Sequence, residues 1–171
     1  MKSAEVGNIF NFGTEKAEQM SVNFIAQDGK EHPVYLASYG IGITRVMGVI
    51  VEKFADDRGI VWPKEVAPFH VHLVTLNGKT AAEEKEIKQT AERIIRDLET
   101  QSVEVLWDER EGVTAGVKFA DADLYGVPLR LVISPRTLAE QAVEWKERVH
   151  ENATVVPIAE VVEKILEWKK K

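Results

Sequence analysis

The chain has 171 residues, of which 44% are hydrophobic and 29% are charged, and its net charge is −6. This composition excludes a disordered or collagen-like chain, and the lack of cysteine excludes disulfides and cysteine-bound zinc. The sequence contains neither an apolar run of transmembrane length nor the apolar core of a signal peptide. We therefore expect a cytoplasmic protein without a membrane partner.

The charge is unevenly distributed along the chain. Residues 1–64 carry 7 Lys and Arg against 8 Asp and Glu, whereas the remainder carries 15 against 20. Non-specific binding of nucleic acid depends on cations that neutralise phosphates, so the acidic second part argues against it. Base-specific contacts by a few side chains remain compatible with this balance.

The first part of the chain has the pattern of an antiparallel sheet followed by a helix. Strands are predicted over 6–13, 22–25 and 33–39, with a short helix over 14–20 and a two-residue hairpin turn at Asp28-Gly29. This sheet has few apolar partners of its own, so we expect it to lie against further structure. Apolar residues at helical spacing predict a helix with Thr44 as its N-cap, ending at 56–59.

The second part has the alternating pattern of an α/β domain. Its elements are predicted in the order β-α-β-α-β-β-β-α, with strands over 69–76, 103–107, 129–133, 143–149 and 154–156, and helices over 80–98, 114–124 and 158–169. The fold class is therefore α/β, with a mixed, mostly parallel sheet flanked by helices and preceded by a partial antiparallel sheet. Prolines at 63 and 68 indicate a boundary, which gives domains over 1–64 and 65–171.

A glycine-rich strand carries the strongest local signal. Gly40 and Gly42 lie on one face of a strand, which leaves that face bare enough to receive a flat ring, and Arg45 follows in the first turn of a helix. Ile41 and Ile43 are expected to face the core. The spacing is not that of a dinucleotide-binding fingerprint. On the residues alone, a tight sheet–helix packing site and a nucleotide pocket are equally good interpretations.

Two histidines at alternate strand positions raise the question of a metal site. His70 and His72 project to one side of the same predicted strand, but the sequence offers no evident third ligand. We therefore expect no metal there.

Residues 40–45, Gly-Ile-Gly-Ile-Thr-Arg, resemble motif 3 of class II aminoacyl-tRNA synthetases. Further segments are similar to bacterial prolyl-tRNA synthetases, namely 5–14, 59–63, 67–69, 105–110 and 116–128. The similarity covers nearly the whole chain in the family's order. It favours the C-terminal part of such an enzyme, the end of the catalytic domain followed by the anticodon-binding domain. Met1 directly before a mid-domain sequence is typical of a truncation.

The resemblance implies roles for residues of the first part. It makes Gly40 and Gly42 the floor of the adenine site and Arg45 a catalytic residue that stacks on adenine and contacts the ATP phosphates. It also implies that the proline pocket is lined by Gly7, Asn8, Phe10 and Ser38. The family often has cysteine where this chain has Ser38, which argues against a role for a thiol but not against proline binding.

The resemblance also implies an anticodon-reading face in the second part. Carboxylates accept hydrogen bonds from guanine N1 and N2, and cations serve guanine acceptors or phosphates. The residues suited to a guanine-rich anticodon are Asp108, Glu109, Arg110, Lys118, Phe119 and Asp121. The alternative interpretation is that residues 109–111 are a solvated charge run and that Lys118 and Asp121 form an exposed helix pair.

The full enzyme would join proline to AMP, using ATP with Mg²⁺, and transfer the prolyl group to tRNA(Pro), as a homodimer and without a DNA partner. Motif 1, motif 2 and the editing insertion of the family would lie upstream. We therefore expect this chain to be inactive alone and to hold no cofactor. Alternatives are a non-catalytic tRNA-binding protein, a related threonyl, histidyl or glycyl enzyme, and a small α/β nucleotide-binding protein.

Overall fold

A computed structural model describes residues 3–170 of the chain. Its internal contacts divide the chain into two compact units between Glu52 and Lys53, earlier than the boundary expected after residue 64. The segment before residue 64 belongs with the second unit because its backbone is paired there. The Ile60 N–H donates to the Leu124 carbonyl at 3.1 Å, and the Trp62 N–H donates to the Gly126 carbonyl at 3.2 Å.

The first unit consists of two small antiparallel sheets and two helices. Its elements are β1 (Gly7–Gly13), α1 (Glu15–Gln19), β2 (Asn23–Ile25), β3 (Glu31–Pro33), β4 (Leu36–Ile41) and α2 (Ile43–Phe54). β1 pairs with β4, and β2 pairs with β3. The strand predicted over 33–39 is thus two strands with different partners.

The hairpin between β2 and β3 is present, but its turn differs from the prediction. The Ala26 carbonyl accepts a hydrogen bond from the Gly29 N–H at 2.9 Å, so Gln27 and Asp28 are the central residues. Gly29 follows them at φ +75°, the left-handed conformation that glycine adopts without a steric penalty. This is the longer, bulged hairpin loop rather than a two-residue loop centred on Asp28-Gly29.

Two expectations around α2 are wrong. The helix begins at Ile43, and Gly42 supplies the first carbonyl, which accepts from the Val46 N–H at 2.8 Å; Thr44 lies inside the first turn rather than at the N-cap. Ile41 and Ile43 are 71% and 80% exposed rather than part of a core. The reason is that nothing within residues 3–52 covers this side of the sheet. Among residues 3–52, Ala17 is the one buried hydrophobic residue.

The second unit is a five-stranded sheet with helices on both faces. Its strands are β5 (Val71–Thr75), β6 (Val105–Asp108), β7 (Leu129–Ile133), β8 (Ala142–Glu147) and β9 (Thr154–Pro157). Its helices are α3 (Ala81–Glu99), α4 (Ala115–Tyr125), α5 (Pro135–Ala139) and α6 (Val161–Lys170), and a 3-10 turn, Lys64–Val66, precedes them.

The predicted mixed, mostly parallel α/β sheet is confirmed. The strand order is β6-β5-β7-β8-β9; β5 is parallel to β6 and β7, whereas β8 is antiparallel to β7 and β9. Two of the four pairings are antiparallel because β8 alone is reversed, and the other four strands run in the same direction. The structure also adds α5, where a Ser134 capping box and Pro135 start a single helical turn.

The two faces of the sheet have different chemistry. The face towards α3 and α6 is an apolar core that includes Leu73, Leu131 and Trp145 packed against Ile94 and Ile165. The predicted apolar stripe of α3 is confirmed, because Ile87, Ala91, Ile94 and Leu98 are buried.

The face towards α4 carries polar side chains. His72, Arg130 and Lys146 occupy paired positions on β5, β7 and β8. The His72 ring lies 6.1 Å from that of Tyr125 on α4. Within residues 3–170, no helix is both long and apolar enough to cross a membrane.

Candidate functional sites

The first candidate site is a hollow of about 300 Å³ over the β1–β4 pair. The register places Asn8 opposite Gly40 and Phe10 opposite Ser38, and side chains of directly opposed residues share a face. The hollow is lined by Val6, Gly7, Asn8, Phe10, Gly40, Ile41, Gly42 and Arg45. The pairing thus brings the residues expected at the adenine and proline sites together, with Ser38 just beyond the rim.

Gly7 and Gly40 differ in whether the fold itself requires a glycine. A Cβ on Gly7 would lie 2.9 Å from the Gly40 carbonyl oxygen, so Gly7 is required for the close pairing of β1 and β4. A Cβ on Gly40 would meet nothing within 4 Å. The fold itself does not need a glycine at position 40, which leaves the bare surface available to a ligand.

Arg45 stands at the edge of the hollow, in the first turn of α2. Its Nη1 donates to the Glu5 carbonyl oxygen at 2.7 Å and lies 4.0 Å from the Glu5 carboxylate, while 60% of the side chain is exposed. The Glu5 carboxylate also accepts from the Asn8 side-chain amide at 2.9 Å. Glu5 therefore orients both Arg45 and Asn8, and leaves most of the guanidinium accessible.

An aromatic pair extends the same face of β1. The rings of Phe10 and Phe12 are stacked with centroids 6.2 Å apart, and they are 50% and 39% exposed. Phe12 was not among the predicted pocket residues, although its spacing of two residues from Phe10 on a strand indicates that the two share a face.

The second candidate site lies where β6 ends and α4 begins. The Asp108 carboxylate accepts three hydrogen bonds from Arg110, from the side-chain Nε at 2.9 Å and Nη2 at 2.8 Å and from the backbone N–H at 3.2 Å. The same Nη2 lies 2.8 Å from the Asp121 carboxylate on α4. Hydrogen bonding by Arg110 holds the pKa of Asp108 below its ordinary value, and the two carboxylates raise the pKa of Arg110.

The Arg110 guanidinium is held on one side and accessible on the other. Of its five N–H donors, the three on Nε and Nη2 face Asp108 and Asp121. Nη1 makes no hydrogen bond within residues 3–170, and 43% of the side chain is exposed. The neighbouring Glu109 is also exposed. Arg110 and Glu109 together offer fixed donors beside an exposed carboxylate, the combination that suits the edges of guanine.

Lys118 lies beneath this surface rather than on it. The residue is 1% exposed, and its Nζ donates to the Thr75 carbonyl at 2.8 Å and the Asp108 carbonyl at 3.4 Å. Burial lowers the pKa of Lys118, and the nearby Asp108 opposes that effect. The exposed Lys118–Asp121 helix pair is also not formed, because Asp121 pairs with Arg110.

Phe119 is half-buried, and one face of its ring is covered. The Arg130 guanidinium lies 4.3 Å from the ring centroid, and it is flanked by Asp123 at 3.9 Å and Glu144 at 3.8 Å. Sequence reasoning missed Arg130. The available signal was a single charged residue within the apolar strand β7.

The structure places His72 within β5 and His70 just before it. His70 Nδ1 accepts a hydrogen bond from the Glu104 N–H at 3.1 Å, whereas His72 is 1% exposed on the α4 side of the sheet. Within the described part of the chain, no three His, Asp or Glu side chains are grouped to hold a metal ion.

The chain is similar to known proteins over nearly its whole length. Residues 70–168 match the family described as the anticodon binding domain. The chain belongs to that family. The chain is 41% identical to a proline–tRNA ligase of Dehalococcoides mccartyi over 96% of the chain's length. It is 42% identical to one of Anaeromyxobacter sp. over 97% of the chain's length. It spans 28% of the length of each of these relatives.

A solved structure is also similar to the chain. A prolyl-tRNA synthetase from Cryptosporidium parvum, complexed with L-proline and AMP, superposes with a TM-score of 0.85 at 27% identity. The match covers 96% of this chain and 33% of that one. The resemblance to prolyl-tRNA synthetases is thus confirmed in both sequence and fold.

Proposed function

We propose that residues 65–171 read the anticodon of tRNA(Pro), through a surface built from Glu109 and Arg110. The observation that carries the proposal is the fixed guanidinium of Arg110, which is held by Asp108 and Asp121 and keeps Nη1 accessible. A preorganised donor beside an exposed carboxylate is suited to base edges in an unstacked loop. The family membership supports RNA as the ligand.

Anticodon reading is tested by measuring binding of the chain to a tRNA(Pro) transcript and to the same transcript with its anticodon exchanged, over a salt series. We expect preference for the native anticodon, and we expect Arg110→Met to reduce that preference by about 1–3 kcal/mol. Arg96→Met is the matched control, because Arg96 is exposed on α3 and loses the same charge. Equal binding to both transcripts by the unmodified chain would refute the proposal.

We further propose that residues 1–64 supply the floor of an ATP and prolyl-adenylate site in a proline–tRNA ligase. Gly40 and Gly42 would carry the adenine, Arg45 would act as the catalytic residue on the phosphates, and Gly7, Asn8, Phe10 and Ser38 would face proline. Support comes from the shared hollow and from the open space above Gly40. The AMP and proline in the Cryptosporidium structure are ligands of the matching chemical class.

The hollow is a floor rather than a closed pocket, because its lining residues come from β1 and β4, the single residues next to them, and the start of α2. We therefore propose that this chain alone does not form prolyl-AMP, and a clear prolyl-AMP signal from the purified chain would contradict us. Weak ATP-dependent NMR shifts of Gly40 and Gly42 should be lost in Arg45→Met. The control Lys53→Met, at the far end of α2, should retain them.

We also propose that the whole enzyme uses Mg²⁺ with ATP, forms a homodimer and is located in the cytoplasm. Mg²⁺ is usually held by one or two carboxylates and by substrate phosphates. Residues 3–170 group no three His, Asp or Glu side chains for it, so we propose that ATP and the remaining length of the whole enzyme supply its ligands.

A further inference from the structure

We propose that Lys118 is a positioning residue, which acts on RNA through Arg110 and does not touch RNA itself. This inference rests on the proposed role of the Arg110 surface in anticodon reading. It also replaces the direct RNA contact that was expected for Lys118 from the sequence.

The placement of Lys118 excludes a direct contact in this conformation. Its side chain is 1% exposed, and the ammonium lies under the ends of β5 and β6. An ammonium is rarely enclosed in this way unless it is paired, because its desolvation has to be offset by hydrogen bonds. Here the donors are directed at protein acceptors, the Thr75 and Asp108 carbonyls, with the Asp108 carboxylate at 3.8 Å.

Those acceptors are the last residues of two parallel strands. β5 ends at Thr75 and β6 ends at Asp108. Lys118 donates to the terminal backbone carbonyl of each strand. The Thr75 hydroxyl adds a second link, because it donates to the Asp108 carbonyl at 3.2 Å. The ammonium thus fixes where β6 stops and where its loop begins.

Asp108 transmits this position to Arg110. Its carboxylate accepts both hydrogen bonds from the Arg110 side chain, while its backbone carbonyl and one carboxylate oxygen face Lys118. Asp121 completes the support from α4, one turn after Lys118 on the same helix. Helix α4 therefore holds the guanidinium twice, directly through Asp121 and indirectly through Lys118 and Asp108.

The first test uses the unmodified chain, so it does not depend on any variant folding. Reductive methylation of lysines in the folded 171-residue chain, read by mass spectrometry, should label exposed Lys88 at least about tenfold faster than Lys118. Addition of the tRNA(Pro) transcript should leave Lys118 unchanged. Fast labelling of Lys118 that the transcript suppresses would show direct contact and overturn the inference.

The second test asks whether Lys118 acts through Arg110. Lys118→Met keeps the apolar stem and removes the ammonium, and Lys88→Met is the matched surface control. We expect Lys118→Met to weaken binding of the tRNA(Pro) transcript about tenfold. We expect the double variant with Arg110→Met to bind no more weakly than Arg110→Met alone, because coupled residues are not additive. Additive losses would overturn the inference.

A third readout separates this inference from the proposed function. The NMR heteronuclear NOE of the Arg110 Nε–H in the RNA-free chain should fall in folded Lys118→Met towards that of exposed Arg96, with Asp121 still holding part of the guanidinium. An unchanged NOE overturns the positioning role whether or not the chain binds RNA. A reduced NOE in a chain without anticodon preference supports the positioning role, and it refutes the proposed function alone.

Discussion

Gly126 gives the sharpest prediction about what holds the second unit together. It ends α4 at φ +70°, where its N–H donates to the Ala122 carbonyl at 3.1 Å. A Cβ built on it would fall on the backbone carbonyl of Ile60. We predict that Gly126→Ala strongly destabilises the unit, because the new methyl group collides with the backbone carbonyl of Ile60.

The magnitude follows from two separable effects. Placing alanine in the left-handed conformation costs about 1 kcal/mol, and forcing a methyl group into a packed site costs about 1–3 kcal/mol more. Gly112 is the matched control, because it has φ +72° and a Cβ added to it would meet no atom within 4 Å. Gly112→Ala should therefore show the first cost of about 1 kcal/mol without the second.

The assay is urea unfolding of both variants, followed by tryptophan fluorescence, with the free energy of unfolding taken by linear extrapolation. We expect Gly126→Ala to lose about 2–4 kcal/mol and to exceed Gly112→Ala by at least about 1 kcal/mol. Equal losses in the two variants would show that the close approach of residues 59–62 to α4 does not contribute to stability.

Three further predictions concern protonation, helix capping and strand pairing. Burial lowers the pKa of His72 from 6.5 to about 4, so its neutral form favours folding; stability from this group is present above pH 6.5 and is lost as pH falls towards 4. Between pH 7 and pH 4.5, urea unfolding should show that the free energy of unfolding falls by up to about 3 kcal/mol, and this fall should be smaller in His72→Asn. The same pH dependence in His72→Asn as in the unmodified chain would contradict this prediction. Thr80→Ala should lower the free energy of unfolding by about 1 kcal/mol, because the Thr80 hydroxyl accepts a capping hydrogen bond from the Glu83 N–H at 3.2 Å. Urea unfolding measures this loss. Gly7→Ala should broaden or shift the amide NMR signals along β1 and β4, whereas Gly40→Ala, whose Cβ meets open space, should leave them in place.

The elements that sequence reasoning predicted well are those with a local cause. α3 has a capping residue at Thr80 and an apolar stripe with helical spacing, and both are present. The helix α5 was missed because its five residues are too few for a periodic pattern. The hairpin loop and the start of α2 depended on backbone hydrogen bonds that residue type alone does not specify.

The limit of prediction from sequence is clearer at the second candidate site. The residue types at 108–121, together with the family resemblance, predicted an RNA-reading surface, but they did not separate the exposed residues from buried Asp108 and Lys118. Lys118 lies one helical turn before buried Ala122, which was a usable sign of burial. Its partners, however, come from the ends of two strands, and only the folded sheet brings Thr75 and Asp108 together.

The uncovered apolar side of β1 and β4 has a consequence for the life of the chain in a cell. Ile9 and Tyr39 are each 85% exposed beside Ile41, on a paired ribbon with almost no buried residue of its own. Surfaces of this kind are recognised by chaperones and proteases and promote aggregation at micromolar concentrations. Whenever this side stays uncovered, the first unit rather than the well-packed second one will determine how long the chain survives and how much of it accumulates.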